Sequence, residues 1–265
     1  MTEIEWAGVE IATQTSIENI EQLKDGAAKE EGQPRFKIQT NDTQLTAHSI
    51  VIASGGLSIP NGGASPFAYN IAKQFNMKVT ELRAALVPFT LPPESLKYLK
   101  PLSGVSHFAS VTTQDGTSFT EAMLFTHRGL SGPAVLQASS YWRDGEEIRV
   151  ALAPDFDLGA ALKIQRTQDG RKALSTALAA HLPARLVDFL SAEIEMTGNV
   201  GDLSDARIAQ LTQHLHNWTL RPSGTEGYRT AEVTLGGVDT NALSSKTMEA
   251  KTQPGLFFIG EVVDV

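Results

Sequence analysis

Two apolar runs that each stop at a glycine turn constrain this chain more than any other feature. Leu256-Phe257-Phe258-Ile259 has the length and β-rich character of a covered parallel strand, and Gly260 gives the backbone a sharp exit into the acidic Glu261. Ile50-Val51-Ile52-Ala53 reads the same way and ends at Ser54-Gly55-Gly56. Such a turn lets backbone amides approach a phosphate or a ring, although a plain tight turn is the commoner reason for two glycines. The continuation Pro60-Asn61-Gly62-Gly63-Ala64-Ser65-Pro66 adds weight to a ligand, because it feeds a glycine-rich loop into a helix N-terminus whose free amides suit an anion. Val265 closes the sequence soon after Gly260, so the chain is expected to stop at the edge of its own binding site.

With 265 residues and 41% hydrophobic content, the chain can bury a real core as one large domain or two smaller ones. Its formal net charge of −8 repels a phosphate backbone and no basic patch stands out, so neither nucleic acid nor an anionic membrane is expected as a partner. No apolar stretch is long enough to span a bilayer, and Met1-Thr2-Glu3-Ile4-Glu5 lacks the basic-then-apolar layout of a signal peptide, so the expected location is cytoplasmic. There is no cysteine, hence no disulfide, thiolate nucleophile or thiol-based centre, and any redox chemistry must come from a bound cofactor.

Along the chain, Val9 and Ile11 predict a short strand and Thr15, Ile17 and Ile20 a second extended piece. Turn signals at 25–26 and 30–34 precede an alternating strand at 35–40 and a hairpin turn at Asn41-Asp42. Ser65 as N-cap and Pro66 at the first helical position start a short amphipathic helix. A β-rich middle follows, with strands at 86–91, 105–111, 122–126 and 147–152, turns at Pro92-Pro93 and Asp115-Gly116, and a helix from 133 to 142. From 158 to 218 the character turns helical, with helical periodicity at 171–180, 183–195 and 205–218 and Ser204 or Asp205 as N-cap. Residues 231–235 are extended and Gly236-Gly237 breaks them.

Phe125-Thr126-His127-Arg128-Gly129-Leu130-Ser131-Gly132-Pro133 sets a titratable imidazole, a permanent cation and hydroxyls on one glycine-hinged loop, which makes His127 a candidate proton donor. From spacing alone, His127 and Arg128 hydrogen-bonding to loop carbonyls is the stronger reading, and no carboxylate is near in sequence. His214 and His216 flank Leu215 and face different sides of a helix, so they form no metal face and are expected in solvent, while His181 reads as helix-terminal. Arg221-Pro222-Ser223-Gly224-Thr225 reads first as a linker and second as a contact for an anionic substrate. No metal site is expected.

Five motifs taken together carry a resemblance: 53–60, 125–133, Ala231-Glu232-Val233-Thr234-Leu235-Gly236-Gly237-Val238, Lys246-Thr247-Met248-Glu249 and 255–264. In order and spacing the chain resembles the BaiN/YhiN-like bacterial flavoproteins, NAD(P)/FAD-dependent oxidoreductases that include the aminoacetone oxidase family. The resemblance implies an α/β (α+β) fold: an incomplete FAD/NAD(P)-binding Rossmann-like domain interrupted by a β-rich barrel-like insertion and a small helical subdomain. It divides the chain into a partial FAD-binding domain at 1–84, the β-rich insertion at 85–157, its helical part at 158–226 and a return to the FAD-binding domain at 227–265. It implies that Ser54, Gly55 and Gly56 pack near the flavin nucleotide, that Gly260 and Glu261, with Asp264 behind, approach the pyrophosphate and ribityl chain, and that Pro60, Gly62 and Gly63 border the flavin ring. His127 and Arg128 become tentative substrate-side residues.

Such proteins also carry a Gly-x-Gly-x-x-Gly turn for the FAD pyrophosphate, and none occurs in this sequence. Ala68 also replaces a glycine usual in the loop-to-helix segment. The expected function is therefore an FAD-dependent oxidoreductase acting on a small molecule, incomplete and poor at holding FAD alone, with NAD(P)H open as a redox partner. Two alternatives stand beside it: a non-catalytic remnant or insertion module that binds a ligand or partner, and one half of a split flavoenzyme. A complementary chain or a second copy of this chain would be the protein partner.

Overall fold

Small hydroxyl residues alternating with apolar ones, and glycines at the points where strands end, shape most of this fold. The structure is a computed structural model that describes residues 6–23, 33–195 and 197–264. The charged turns expected at 25–26 and 30–32, and the N-terminal pentapeptide, lie outside the described residues. The fold is mixed α/β of the α+β class, and the chain divides into two compact units: the described residues of 1–56, 65–82 and 236–265 form one, those of 57–64 and 83–235 the other.

In the first unit, β1 (Ile17–Gln22), β2 (Phe36–Thr40) and β3 (Gln44–Ala47) form an antiparallel meander. The Asn41-Asp42 turn is closed by the Thr40 hydroxyl, which accepts from the amides of Asp42 and Thr43. Ile20 and Phe36 are fully buried, and Phe36 meets Phe75 edge-on at 6.2 Å just beyond α1 (Phe67–Gln74). The strand expected around Val9 and Ile11 does not form: both side chains are exposed, so the alternation there has no core to face. β4 (Ile50–Ile52) lies in a separate two-stranded sheet.

The second unit opens with β5 (Arg83–Ala85) and β6 (Phe89–Thr90), where one strand was expected. Leu86 takes a positive φ of 48°, and the amide of Val87 donates to the buried Ser139 hydroxyl instead of a strand partner, which splits the run. Pro92-Pro93 is not merely a turn, because Pro93 occupies the first turn of α2 (Pro93–Leu99), where its missing N–H costs nothing. Next come β7 (Ser106–Thr112), β8 (Ser118–Phe125), β9 (Gly129–Ser131), α3 (Pro133–Ser139) and β10 (Ile148–Ala151). Ala109, Val111, Met123 and Phe125 point into the core while Ser106, Ser118 and Thr120 point out, the alternation that fixes the β7–β8 register from Ser106↔Leu124 to Thr112↔Ser118.

The helical stretch holds α4 (Leu158–Gln168), α5 (Leu174–Leu178), α6 (Ala184–Glu193) and α7 (Asp205–His216). Sequence reasoning missed α4, although Asp157 caps it by accepting from the Ala160 amide at 2.8 Å. The helix expected at 171–180 shrinks to α5 because the preceding backbone is engaged elsewhere. Gly170 accepts from the Gly201 amide at 2.8 Å, and Lys172 accepts from Val200 at 2.9 Å. Ser204 caps α7 as expected. The chain then forms β11 (Trp218–Leu220), β12 (Gly224–Thr225) and β13 (Val233–Leu235), before returning to the first unit for β14 (Leu256–Phe258). The stretch 221–225 is therefore not a linker, since β12 is an edge strand in a seven-stranded antiparallel sheet of order β11-β10-β7-β8-β9-β6-β12. No described helix is long and apolar enough to cross a membrane.

Candidate functional site

In the first unit, β4 and β14 pair in parallel with Phe258 opposite Ile52, and the Ile259 amide donates to the Ile52 carbonyl at 3.1 Å. Their carboxyl ends therefore finish level. Both then turn on a left-handed glycine, Gly55 at φ 75° and Gly260 at φ 78°, a conformation glycine enters without strain. A Cβ on Gly260 would meet no atom within 4 Å, and one on Gly55 would sit 4.0 Å from Oε2 of Glu261. Two glycine turns with room above them and a carboxylate thus share the end of a parallel strand pair, the place where α/β sheets take ligands. Backbone amides suit an anion and the carboxylate suits hydroxyl groups.

Ile50, Ile52, Leu256 and Phe258 cover the inner side of this pair, but Val51 is 55% and Ile259 40% exposed, so the strands are not covered on both faces as the apolar runs led us to expect. The turn after β14 is fixed from below. Val238 donates to the Val262 carbonyl at 2.8 Å, and the amide of Asp264 donates to the Val238 carbonyl at 3.0 Å. A Cβ on Gly237 would lie 2.5 Å from that same Val262 oxygen, so the Gly236-Gly237 break is a close-packing requirement rather than a loop signal.

In the second unit, Pro60, Gly62 and Gly63 lie on the exposed tip of the loop at 57–64, with a single 3-10 turn over Pro60–Gly62. Its base is clasped by a residue that sequence reasoning left without a role. The Thr234 hydroxyl accepts from the amides of Leu57 at 2.7 Å and Ser58 at 3.1 Å and lies 3.1 Å from the Ser58 hydroxyl. The Ile59 amide donates to the Tyr228 carbonyl, and Ile59 is held at φ 55°, ψ 63°, a strained position for a β-branched residue. Burial pushes the Tyr228 phenol above its ordinary pKa, with the nearby Arg83 charge acting the other way.

His127 and Arg128 lie exposed at the tip between β8 and β9. Thr126 builds that turn, its hydroxyl accepting from the amides of Arg128 and Gly129. The carboxylate absent from the local sequence arrives from far along the chain: Glu226 lies 3.5 Å from Arg128. Arg128 thus pairs with a side chain as well as shaping its turn, a contact that no local spacing could reveal. Ser54, Gly55, Gly56, Gly260, Glu261 and Asp264 belong to the first unit, and Pro60, Gly62, Gly63, His127 and Arg128 to the second.

His216 is not in solvent: its Nδ1 lies 2.8 Å from the Thr212 carbonyl and its Nε2 2.9 Å from the Ala153 carbonyl, tying α7 to the end of β10. His181 stacks on Phe156 at 4.1 Å. Among the described residues no group of three or more His, Asp or Glu is placed to hold a metal.

The chain is 51% identical over 235 residues to a ribosomal RNA dihydrouridine synthase of Escherichia coli, covering 87% of this chain and 58% of the relative. It is 41% identical over 259 residues to the protein of that name from Haemophilus influenzae, covering 97% of this chain and 63% of the relative. A 3-dehydro-bile acid delta(4,6)-reductase of Clostridium scindens is 24% identical over 245 residues, covering 87% and 59%. The chain thus spans about three fifths of the length of the relatives it matches.

These matches correct three expectations. The BaiN-like, aminoacetone oxidase resemblance gives way, because the relatives at 51% and 41% identity carry a different name. Glycine turns of this kind recur in proteins that act on different substrates, so the motifs behind the resemblance do not fix chemistry. The expected small-molecule oxidoreductase gives way to relatives named for modifying RNA, and neither the non-catalytic remnant nor the split enzyme fits those names better. The exclusion of nucleic acid fails with it; it rested on the net charge of the whole chain and on the lack of a basic patch visible in the sequence. The family model for the HI0933-like protein barrel and H2TH domain matches residues 83–233, more than half of the chain. This chain therefore belongs to the HI0933-like family.

Proposed function

We propose that this chain is the greater part of an enzyme that forms dihydrouridine in ribosomal RNA. The observation that carries the reading is the 51% identity to a ribosomal RNA dihydrouridine synthase across 87% of this chain. Dihydrouridine differs from uridine by two hydrogens across the C5=C6 bond, added as a hydride and a proton. FAD, when bound, would supply the hydride, with NAD(P)H as the source of electrons.

The turns at the strand ends suit a flavin dinucleotide in kind. The left-handed turns at Gly55 and Gly260 leave room for phosphate oxygens to approach the backbone, Glu261 and Asp264 would offer carboxylates to ribityl or ribose hydroxyls, and Ser54 and Gly56 flank the first turn. Pro60, Gly62 and Gly63 border the ring in this reading, on a loop whose base is held by Thr234. Because the sequence contains no Gly-x-Gly-x-x-Gly, the isolated 265-residue chain binds FAD weakly. His127 and Arg128 face the RNA, Arg128 meeting a phosphate and His127 standing as the proton source for C5. A cytoplasmic location accompanies a ribosomal substrate.

The test is direct. Ribosomal RNA from cells lacking this protein is digested to nucleosides and analysed by mass spectrometry, then compared with RNA from cells to which the gene has been returned. Dihydrouridine that disappears and returns with the gene supports the reading, and an unchanged nucleoside profile overturns it.

A further inference from the structure

The second unit carries an exposed aromatic ring that is braced from behind by other rings. Tyr98, near the end of α2, is 48% exposed and packs edge-on against Phe189 of α6 with ring centroids 4.8 Å apart. Phe189 continues to Trp218 at 6.3 Å, and Trp218 to Phe125 at 5.9 Å. Phe189, Trp218 and Phe125 are buried, so a ladder of rings runs from the core to one exposed tyrosine. Such a ring loses little further freedom when a flat ligand stacks on it.

Cations surround it. Lys97 and Lys100 flank Tyr98 on the same short helix and its exit, and both are exposed. Arg185 stands four residues before Phe189 on α6 and therefore shares its face. It donates to the carbonyls of Pro101 and Ser103, which fix its position. The carboxylates on these two helices are Glu94 and Asp188, both exposed, and Glu193 at the end of α6. From residue 95 to 114 the sequence has no Asp or Glu at all, in a chain of net charge −8. A second aromatic in that stretch, Phe108 on the outward face of β7, is 47% exposed.

We infer that Tyr98, with Lys97, Lys100 and Arg185, forms a docking surface for single-stranded RNA, the tyrosine stacking on an unpaired base and the three cations meeting flanking phosphates. The inference rests on the RNA substrate of the proposed function and adds where the strand is held. Stacking on a braced aromatic beside cations is how sequence-tolerant single-strand binding is built, and it works without a basic protein overall.

The experiment is fluorescence anisotropy of the purified protein with a short fluorescein-labelled oligouridine, repeated across a series of KCl concentrations. Tyr98→Ala is expected to weaken binding about 5- to 150-fold, while Tyr98→Phe keeps it. The double variant Lys97→Ala, Lys100→Ala is expected to lower the slope of log affinity against log salt by about 1.4. It changes only exposed side chains, so it reads the surface even if Tyr98→Ala perturbs folding. Oligouridine binding that Tyr98→Ala and the lysine variant leave unchanged, or no binding by the wild type, overturns the inference. Ribosomal dihydrouridine still formed in cells carrying an inert Tyr98→Ala would then show the dock to be wrong and the proposed function intact. Tyr98-dependent binding without any dihydrouridine would support the dock and sink the function.

Discussion

Replacing Thr234 with valine tests whether one hydroxyl holds the loop at 57–64 in place. Valine nearly matches threonine in shape, so the change deletes polar contacts without opening a cavity. The lost acceptor serves the Leu57 amide at 2.7 Å and the Ser58 amide at 3.1 Å, with the Ser58 hydroxyl also 3.1 Å away. A neutral hydrogen bond contributes about 0.5–1.5 kcal/mol net, and a donor left buried costs about 1–3 kcal/mol. Leu57 and Ser58 are only half-buried, so water replaces part of the loss. The expected destabilisation is therefore about 1–2 kcal/mol, a factor of about 5–30 in the opening equilibrium. Hydrogen exchange at the amides of Leu57 and Ser58, alongside urea unfolding, separates local opening from global loss. Exchange there should accelerate by that factor in Thr234→Val and return toward wild type in Thr234→Ser. Unchanged exchange at both amides, with unfolding free energy within about 0.5 kcal/mol of wild type, would refute the clasp.

Gly237→Ala should destabilise by about 1–3 kcal/mol or more in denaturant unfolding, because its Cβ would press on the Val262 carbonyl 2.5 Å away and on the Asp264 amide at 2.7 Å. Gly260→Ala meets open space and bears only the left-handed backbone cost of about 1–2 kcal/mol. It should therefore leave the fold intact while weakening FAD binding, read by flavin fluorescence. Arg128→Ala should change unfolding free energy by less than about 1 kcal/mol, since the pair with Glu226 is half-exposed, yet lower dihydrouridine formation in ribosomal RNA. Hydrogen bonding and charge from Arg166 hold Asp205 below the usual carboxylate range. A depressed folded pKa adds stability above the unfolded value that fades as pH falls through the folded one. The stability gap between wild type and Asp205→Asn, from urea unfolding across pH, should thus be present at neutral pH and close below about pH 4.

Local chemistry made much of the fold legible. Ser204 at the head of α7, the Asp115-Gly116 turn between β7 and β8, and the alternation along β7 each act within a few residues, so a pattern in sequence becomes an element in space. Where the reading failed, a distant partner decided the matter. Leu86 breaks a strand because Ser139 takes the amide of Val87, 52 residues before it, and the 171–180 helix shortens because Gly170 and Gly201 touch backbone to backbone. Val9 and Ile11 have strand character but no surface to cover them. The candidate site divides the same way. Glycine turns at Gly55 and Gly260 announce themselves, because only glycine suits their φ, whereas Glu226 beside Arg128 and Thr234 beneath the loop are pairings across nearly a hundred residues or more.

The failure over nucleic acid has a different physical origin. Net charge is a sum over the whole chain, while a phosphate at physiological salt responds to charges within a Debye length of about 8 Å. A protein of this size presents patches much farther apart than that, so a charge of −8 constrains the average potential and leaves any one patch free to be cationic. The quantity that could have warned against the exclusion was the spacing of carboxylates, which vanish between residues 95 and 114 while Lys97 and Lys100 remain. Even that signal becomes an argument only when the fold brings Arg185 beside the same segment and braces Tyr98 on Phe189. In the proposed reading, substrate choice is carried by exposed side chains assembled from separate elements, and cofactor choice by backbone turns written contiguously. The second survives in sequence as a motif, and the first does not.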